Sequence, residues 1–84
     1  MNIRIVVADD DSSTANYLKK VIDEIHGANV VKVVNNGKDT IRCVDEYKPD
    51  AVFLDINMPD MSGVDVARYL TGNYPKTNII FVIL

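Results

Sequence analysis

Two short apolar runs, each stopped by carboxylates, constrain this chain more than any other feature. Ile5-Val6-Val7-Ala8 ends in Asp9-Asp10, and Ala51-Val52-Phe53-Leu54 ends in Asp55. Runs that are short, continuous and rich in β-branched residues read as parallel strands buried on both faces. All three carboxylates then stand at the carboxyl ends of strands. In an open α/β sheet that edge is where ligands bind, at the point where strand order reverses. Three carboxylates converging there repel one another unless a hard cation neutralises them. Oxygen ligands with room left for water suit Mg²⁺, usually shared with a phosphoryl group. The expectation is a site that holds Mg²⁺ beside a reactive aspartate.

Strand and helix patterns alternate along the whole chain. The first strand covers about Ile3 to Ala8. Asp11 and Ser12 are N-cap residue types, and Ala15, Leu18, Val21, Ile22 and Ile25 are read as one helical face. His26-Gly27 is expected to end that helix, with Gly at the C′ position and His at the negative end of the dipole. The second strand is Val30 to Val34, and Asn35-Asn36-Gly37 is a turn. A second helix runs from about Lys38 to Tyr47 with Ile41, Val44 and Tyr47 inward, and Lys48-Pro49-Asp50 stops it. The third strand is Ala51 to Asp55. A third helix, about Val64 to Gly72, turns Val64, Ala67 and Leu70 inward. The fourth strand is Asn78 to Leu84.

Parallel strands need crossovers, and these are right-handed almost without exception. Four strands need helices on both faces, and the order 2-1-3-4 provides them. The reversal point then lies between the first and third strands, the two that end in Asp9-Asp10 and Asp55.

Residues 1–84 are read as a single domain, since 84 residues leave room for one. Apolar content is 48%, ordinary for a globular protein. The formal net charge is −3 and no basic stripe appears, so this segment is not expected to bind nucleic acid. Cys43 is the one cysteine, which rules out an internal disulfide, fits a reducing compartment and reads as a small buried helix residue. Met1-Asn2-Ile3-Arg4 lacks a signal-peptide pattern, and the longest apolar run, Ile79 to Leu84, is too short for a bilayer. A cytoplasmic protein with no membrane partner is expected.

Val7-Ala8-Asp9-Asp10-Asp11, Lys48-Pro49-Asp50 and Asp55-Ile56-Asn57-Met58-Pro59-Asp60-Met61-Ser62-Gly63 together resemble the receiver domain of bacterial two-component response regulators. The resemblance covers the whole chain, which spans about two-thirds of such a domain. It implies a flavodoxin-like doubly wound fold, here without the fifth strand and the last two helices. It also implies that Asp55 accepts a phosphoryl group from a histidine kinase. Asp10 would be the direct Mg²⁺ ligand, Asp9 a second acid acting through water, and Asn57 a ligand through its backbone carbonyl. Pro59 and Gly63 would shape the loop into the third helix. The chemistry is consistent: a carboxylate attacks a phosphoryl anion poorly until a cation neutralises the clash. Such a module is a signalling protein, not an enzyme.

Family members carry Ser or Thr at the end of the fourth strand and Lys at the end of the fifth. The hydroxyl position falls at Ile83, and no lysine upstream replaces the missing one, since Lys76 precedes the fourth strand. The resemblance thus implies an acid pocket with an impaired switch, in a chain shortened by design or by a natural frameshift or stop. Two rival readings stand beside it. A haloacid-dehalogenase-like phosphotransferase also uses an Asp after a strand with Mg²⁺, but wants a second Asp where Asn57 stands. A self-associating fragment without phosphotransfer is the other. Asn78 to Leu84 is apolar on both faces, and as an edge strand it is expected to pair with a second copy, giving a homodimer. Asp11 is read as a helix cap and Asp60 as a solvated turn residue. Tyr17, Tyr69 and Tyr74 are read as packing and surface residues.

Overall fold

The computed structural model describes residues 2–83. The elements are β1 (Ile3–Ala8), α1 (Ser12–Asp23), β2 (Ala28–Val34), α2 (Gly37–Tyr47), β3 (Ala51–Asp55), α3 (Gly63–Asn73) and β4 (Asn78–Val82). They form one four-stranded parallel sheet in the order β2-β1-β3-β4. This is the flavodoxin-like order expected from the sequence.

The period-two alternation of β1 assigns its side chains to two cores. Val6 and Ala8 pack with Val52 and Leu54 of β3, Cys43 and Val44 of α2, and Val66 and Leu70 of α3. Ile5 and Val7 pack on the other face with Ala51 and with Ala15 and Ile22 of α1. Helices therefore cover both faces, one on one side and two on the other. Fully burying an apolar side chain of this size stabilises by about 1.5–3 kcal/mol, so β1, buried from Ile5 to Ala8, is the center of the fold.

Helix phase is where the sequence reading and the structure part. In α1, Ala15 and Ile22 are buried, whereas Val21 is exposed, and Ile25, also exposed, lies beyond the end of the helix. In α3, Val66 and Leu70 are buried, whereas Val64 is exposed. Seven residues bring a helix back to within about 20° of its starting direction. Six leave it about 120° off, as between Ala15 and Val21 or between Val64 and Leu70. Gly63, Val66 and Leu70 form the inward stripe of α3 instead. In α2 the buried set is Gly37, Thr40, Cys43 and Val44, with Ile41 and Tyr47 half-buried against them. Thr40 is tolerated there because its hydroxyl donates to the Asn36 carbonyl at 2.7 Å.

Several boundaries also move. Helix α1 ends at Asp23 with Glu24 as its C-cap, so His26-Gly27 lies beyond the helix, in the turn that enters β2. Gly27 has a φ of 88°, and its carbonyl accepts from the Ile3 N–H at 2.6 Å. Strand β2 starts two residues earlier than expected, because Ala28 and Asn29 pair with Ile3 and Arg4. Lys48 closes α2 in the left-handed region at φ 46°, donating its N–H to Val44, and Pro49 prevents further helix. Strand β4 ends at Val82, and Leu84, the expected last strand residue, lies outside the described residues.

Candidate functional site

The register of β1 on β3 builds the site. Ala8 pairs with Leu54, so the next residues, Asp9 and Asp55, stand side by side at the carboxyl edge. Asp10 follows in the turn to α1. One carboxylate oxygen from each of Asp9, Asp10 and Asp55 lies within 4.8 Å of the others. Asp9 is buried, Asp55 half-buried and Asp10 exposed. The site thus runs from a dry floor to an open mouth.

Asp9 is held from both sides. Its N–H donates to the Val34 carbonyl at 3.0 Å, and its Oδ1 accepts from the Asp11 N–H at 2.9 Å. Burial pushes the Asp9 carboxyl above its usual range. The Asp11 N–H works against that shift, while the charges of Asp55 and Asp10 add to it. Asp11 caps α1 as expected, accepting from the Ser13 N–H at 3.0 Å and the Thr14 hydroxyl at 3.1 Å. Asn57 lies two residues past Asp55, is exposed, and donates its N–H to Asp55 Oδ1 at 3.2 Å.

Among the described residues no basic side chain is ion-paired with these acids. Among the described residues the ion pairs are Lys19–Asp23, Arg42–Asp39 and Arg68–Asp65, all elsewhere on the surface. An all-oxygen donor set lacking a basic partner fits a hard divalent cation. An open groove of about 490 Å³ leads from Asp9 and Asp10 past Ser12, Asn16 and Asn35.

The loop between Asp55 and α3 is shaped by close approach. The Gly63 N–H donates to the Ile56 carbonyl at 2.7 Å. A Cβ on Gly63 would lie 2.2 Å from the Asp55 carbonyl oxygen, so only glycine lets the helix start there. Ser62 caps α3 by accepting from the Val64 N–H at 3.1 Å.

Asp60 is the residue the sequence reading missed. It is no free turn residue: its two oxygens accept from the Gly37 N–H at 2.6 Å and the Lys38 N–H at 2.9 Å. Those bonds hold its carboxyl below the usual range. The local sequence gives no signal for this, because the partners lie 23 and 22 residues away. Tyr74 also does more than pack. Its hydroxyl donates to Asp45 Oδ1 at 2.6 Å, and Lys48 Nζ stands 5.6 Å from its ring centroid.

Comparison with known proteins agrees with this geometry. Residues 5–83 match the family model of the response regulator receiver domain. An uncharacterized response regulatory protein of Vibrio cholerae is 37% identical over 78 residues, spanning 92% of this chain and 30% of that protein. The crystal structure of the response regulator domain of Thermotoga maritima CheB superposes with a TM-score of 0.91 at 30% identity, covering 96% of this chain and 60% of that one. The signal receiver domain of a LuxO repressor protein from Vibrio parahaemolyticus gives 0.86 at 28%, covering 96% and 61%. The chain therefore spans about a third of the curated relative and under two-thirds of these domains. No helix among the described residues is long and apolar enough to cross a membrane. By fold, acid placement and family match, this chain belongs to the response regulator receiver domain family.

Proposed function

We propose that Asp55 of this chain accepts a phosphoryl group from a phosphorylated histidine kinase. The observation that carries the reading is the meeting of Asp9, Asp10 and Asp55 within 4.8 Å with no basic side chain among the described residues ion-paired to them. Receiver domains bind Mg²⁺ at this acidic pocket. Here Asp9, Asp10, Asp55 and the Asn57 carbonyl would hold it. Bound there, Mg²⁺ supplies positive charge to the incoming phosphoryl group and aligns it for in-line displacement.

The chain's own residues do the rest. A carboxylate oxygen of Asp55 forms the new bond to phosphorus as the phosphorus–nitrogen bond to the kinase histidine breaks. The departing imidazole keeps the electron pair and takes a proton. The Asn57 N–H steadies Asp55 Oδ1. Asp9, fixed by Val34 and Asp11, keeps its place without rearrangement.

Ile83 stands at the family's hydroxyl position and directly follows β4, where it is 77% exposed. It cannot donate a hydrogen bond to a phosphoryl oxygen. Phosphorylation in this chain is therefore weak or short-lived, with little conformational readout. The reading is of a cytoplasmic signalling module, not an enzyme in its own right, and this segment does not bind nucleic acid. The haloacid-dehalogenase-like alternative gives way to the receiver match and to Asn57 at the position where it needs an acid.

Incubation with acetyl phosphate and Mg²⁺, followed by intact mass, tests the assignment. Slow, partial phosphorylation that disappears in Asp55→Asn is expected. Phosphate uptake retained in Asp55→Asn would refute the acceptor. Rapid, stoichiometric uptake lost in that variant would refute the weight given to Ile83.

One observation favours a second property, self-association. Among the described residues β4 pairs with β3 alone, and Ile80 and Phe81 are 39% and 42% exposed on its two faces. An apolar strand with an open edge pairs readily with another copy of itself. The 84-residue polypeptide is read as a homodimer formed through β4, by edge pairing or by strand exchange.

A further inference from the structure

Helix α2 has its own N-cap. The Asn36 side chain accepts from the Asp39 N–H at 2.8 Å, and Asp39 adds an acid to the first turn. Yet the next two orphan N–H groups, on Gly37 and Lys38, are taken by Asp60 from the loop that follows β3. A Cβ on Gly37 would lie 2.1 Å from Met61 Cγ, so the helix start and the loop are pressed together. Among the described residues, the hydrogen bonds that tie residues 57–62 to an element other than the flanking β3 and α3 are those of Asp60.

These bonds close a ring around the acid pocket. The Asp9 N–H donates to Val34 at the end of β2. Three residues later α2 begins, and its first N–H groups donate to Asp60. Asp60 follows Asn57 by three residues and Asp55 by five, and Asp55 stands beside Asp9. The ends of three strands are thereby linked through one carboxylate.

We propose that Asp60 is a positioning residue for the acid pocket, holding the Asp55–Asn57 loop against the start of α2 so that its oxygens meet those of Asp9 and Asp10. The inference rests on the metal-binding reading above and deepens it. Loosening the loop widens the spread of ligand positions, which weakens cation binding even where the fold survives. Losing a group that orients metal ligands typically lowers affinity about 10–100-fold, and the exposed setting of Asp60 puts it at the lower end, roughly tenfold.

The test is Mn²⁺ titration of the 84-residue chain, with free Mn²⁺ read by electron paramagnetic resonance well below the melting temperature. Wild type, Asp10→Asn, Asp60→Ala, Asp60→Asn and Asn36→Ala are compared. Asp60→Ala is expected to bind Mn²⁺ roughly tenfold more weakly. Asp60→Asn should fall between it and wild type, since its amide oxygen still accepts one N–H. Asn36→Ala weakens α2 without touching the loop, so it should lower the melting temperature and leave Mn²⁺ affinity unchanged. Wild-type affinity in Asp60→Ala, or equal weakening in Asn36→Ala, overturns the positioning role alone. A wild type that binds no Mn²⁺, or an Asp10→Asn that binds it equally well, overturns the metal-binding reading and this inference with it.

Discussion

Alanine at Gly63 and alanine at Gly72 should move stability in opposite directions, although both lie in α3. At Gly63 the added carbon would sit 2.2 Å from the Asp55 carbonyl oxygen, 2.8 Å from Ile56 Cα and 2.9 Å from the Asp55 carbonyl carbon. Carbon–oxygen contacts settle near roughly 3.3–3.6 Å, so the helix start or the strand end must move by about 1 Å. The obstacles are backbone atoms, which have no rotamer to escape into. That places the cost at the upper end of overpacking, about 3 kcal/mol. Alanine's helix preference offsets about 1 kcal/mol of it. The net loss of about 2 kcal/mol corresponds to a melting temperature lower by about 8–16 °C in a domain of this size. At Gly72 a Cβ meets nothing within 4 Å, so the substitution should stabilise by about 0.5 kcal/mol. Urea unfolding followed by circular dichroism measures both. Phosphorylation by acetyl phosphate measures the second consequence of Gly63→Ala, since a 1 Å displacement of a reacting group can cost about 10²-fold in rate. A Gly63→Ala protein as stable as wild type would refute the close-approach argument. One that loses stability but phosphorylates at the wild-type rate would show that Asp55 does not move with its carbonyl.

Millimolar Mg²⁺ should raise the melting temperature, by the equivalent of about 2.7 kcal/mol at a hundredfold excess over Kd, and should do less in Asp10→Asn; an equal response in both proteins would count against the acid pocket. The hydrogen bond to Asp45 keeps the Tyr74 phenol neutral and pushes its pKa from 10.0 to about 12. Its contribution to stability is therefore complete below pH 10 and lost as pH rises toward about 12. Ultraviolet titration should show one of the four tyrosines ionising late, and Tyr74→Phe should remove that step; four tyrosines ionising together would contradict the bond. Sedimentation equilibrium should give a dimer for wild type and a monomer for Phe81→Lys, whereas a charged variant that associates as tightly would exclude β4 as the contact.

The strands and their order were legible because burial on both faces writes itself as an unbroken apolar run. β1 and β3 have the expected limits, and Asp9 and Asp55 meet because those strands are neighbours. Helix faces were less legible. Val21 and Val64 are apolar and near the right spacing, but a six-residue step turns them about 120° away from the core. The start of β2 was hidden for a different reason: Ala28 and Asn29 are held by backbone pairing with β1, which leaves no apolar signature. Asp60 was hidden because a turn aspartate facing water and a turn aspartate capping a distant helix have the same local sequence. Only the packing of the β3–α3 loop on α2 distinguishes them.

Charge placement explains why this edge of the sheet matters to the whole chain. Twelve acidic and nine basic residues give a formal net charge of −3. Without Asp9, Asp10 and Asp55 the remaining nine acids and nine bases balance. Three acids, as many as the chain's formal excess, are gathered at one end of two strands, over a span of 4.8 Å. Burial raises the Asp9 pKa and its neighbours' charges add to that shift, which is how a fold registers such repulsion before any cation arrives. A divalent cation offsets two of the three charges and leaves the site close to neutral. A phosphoryl group brings negative charge back. Under the proposed function the same three carboxylates would face two opposed demands, cation capture and phosphoryl acceptance. Fixed backbone partners on Asp9 and a loop bonded to α2 through Asp60 would let the site meet both without rebuilding its walls.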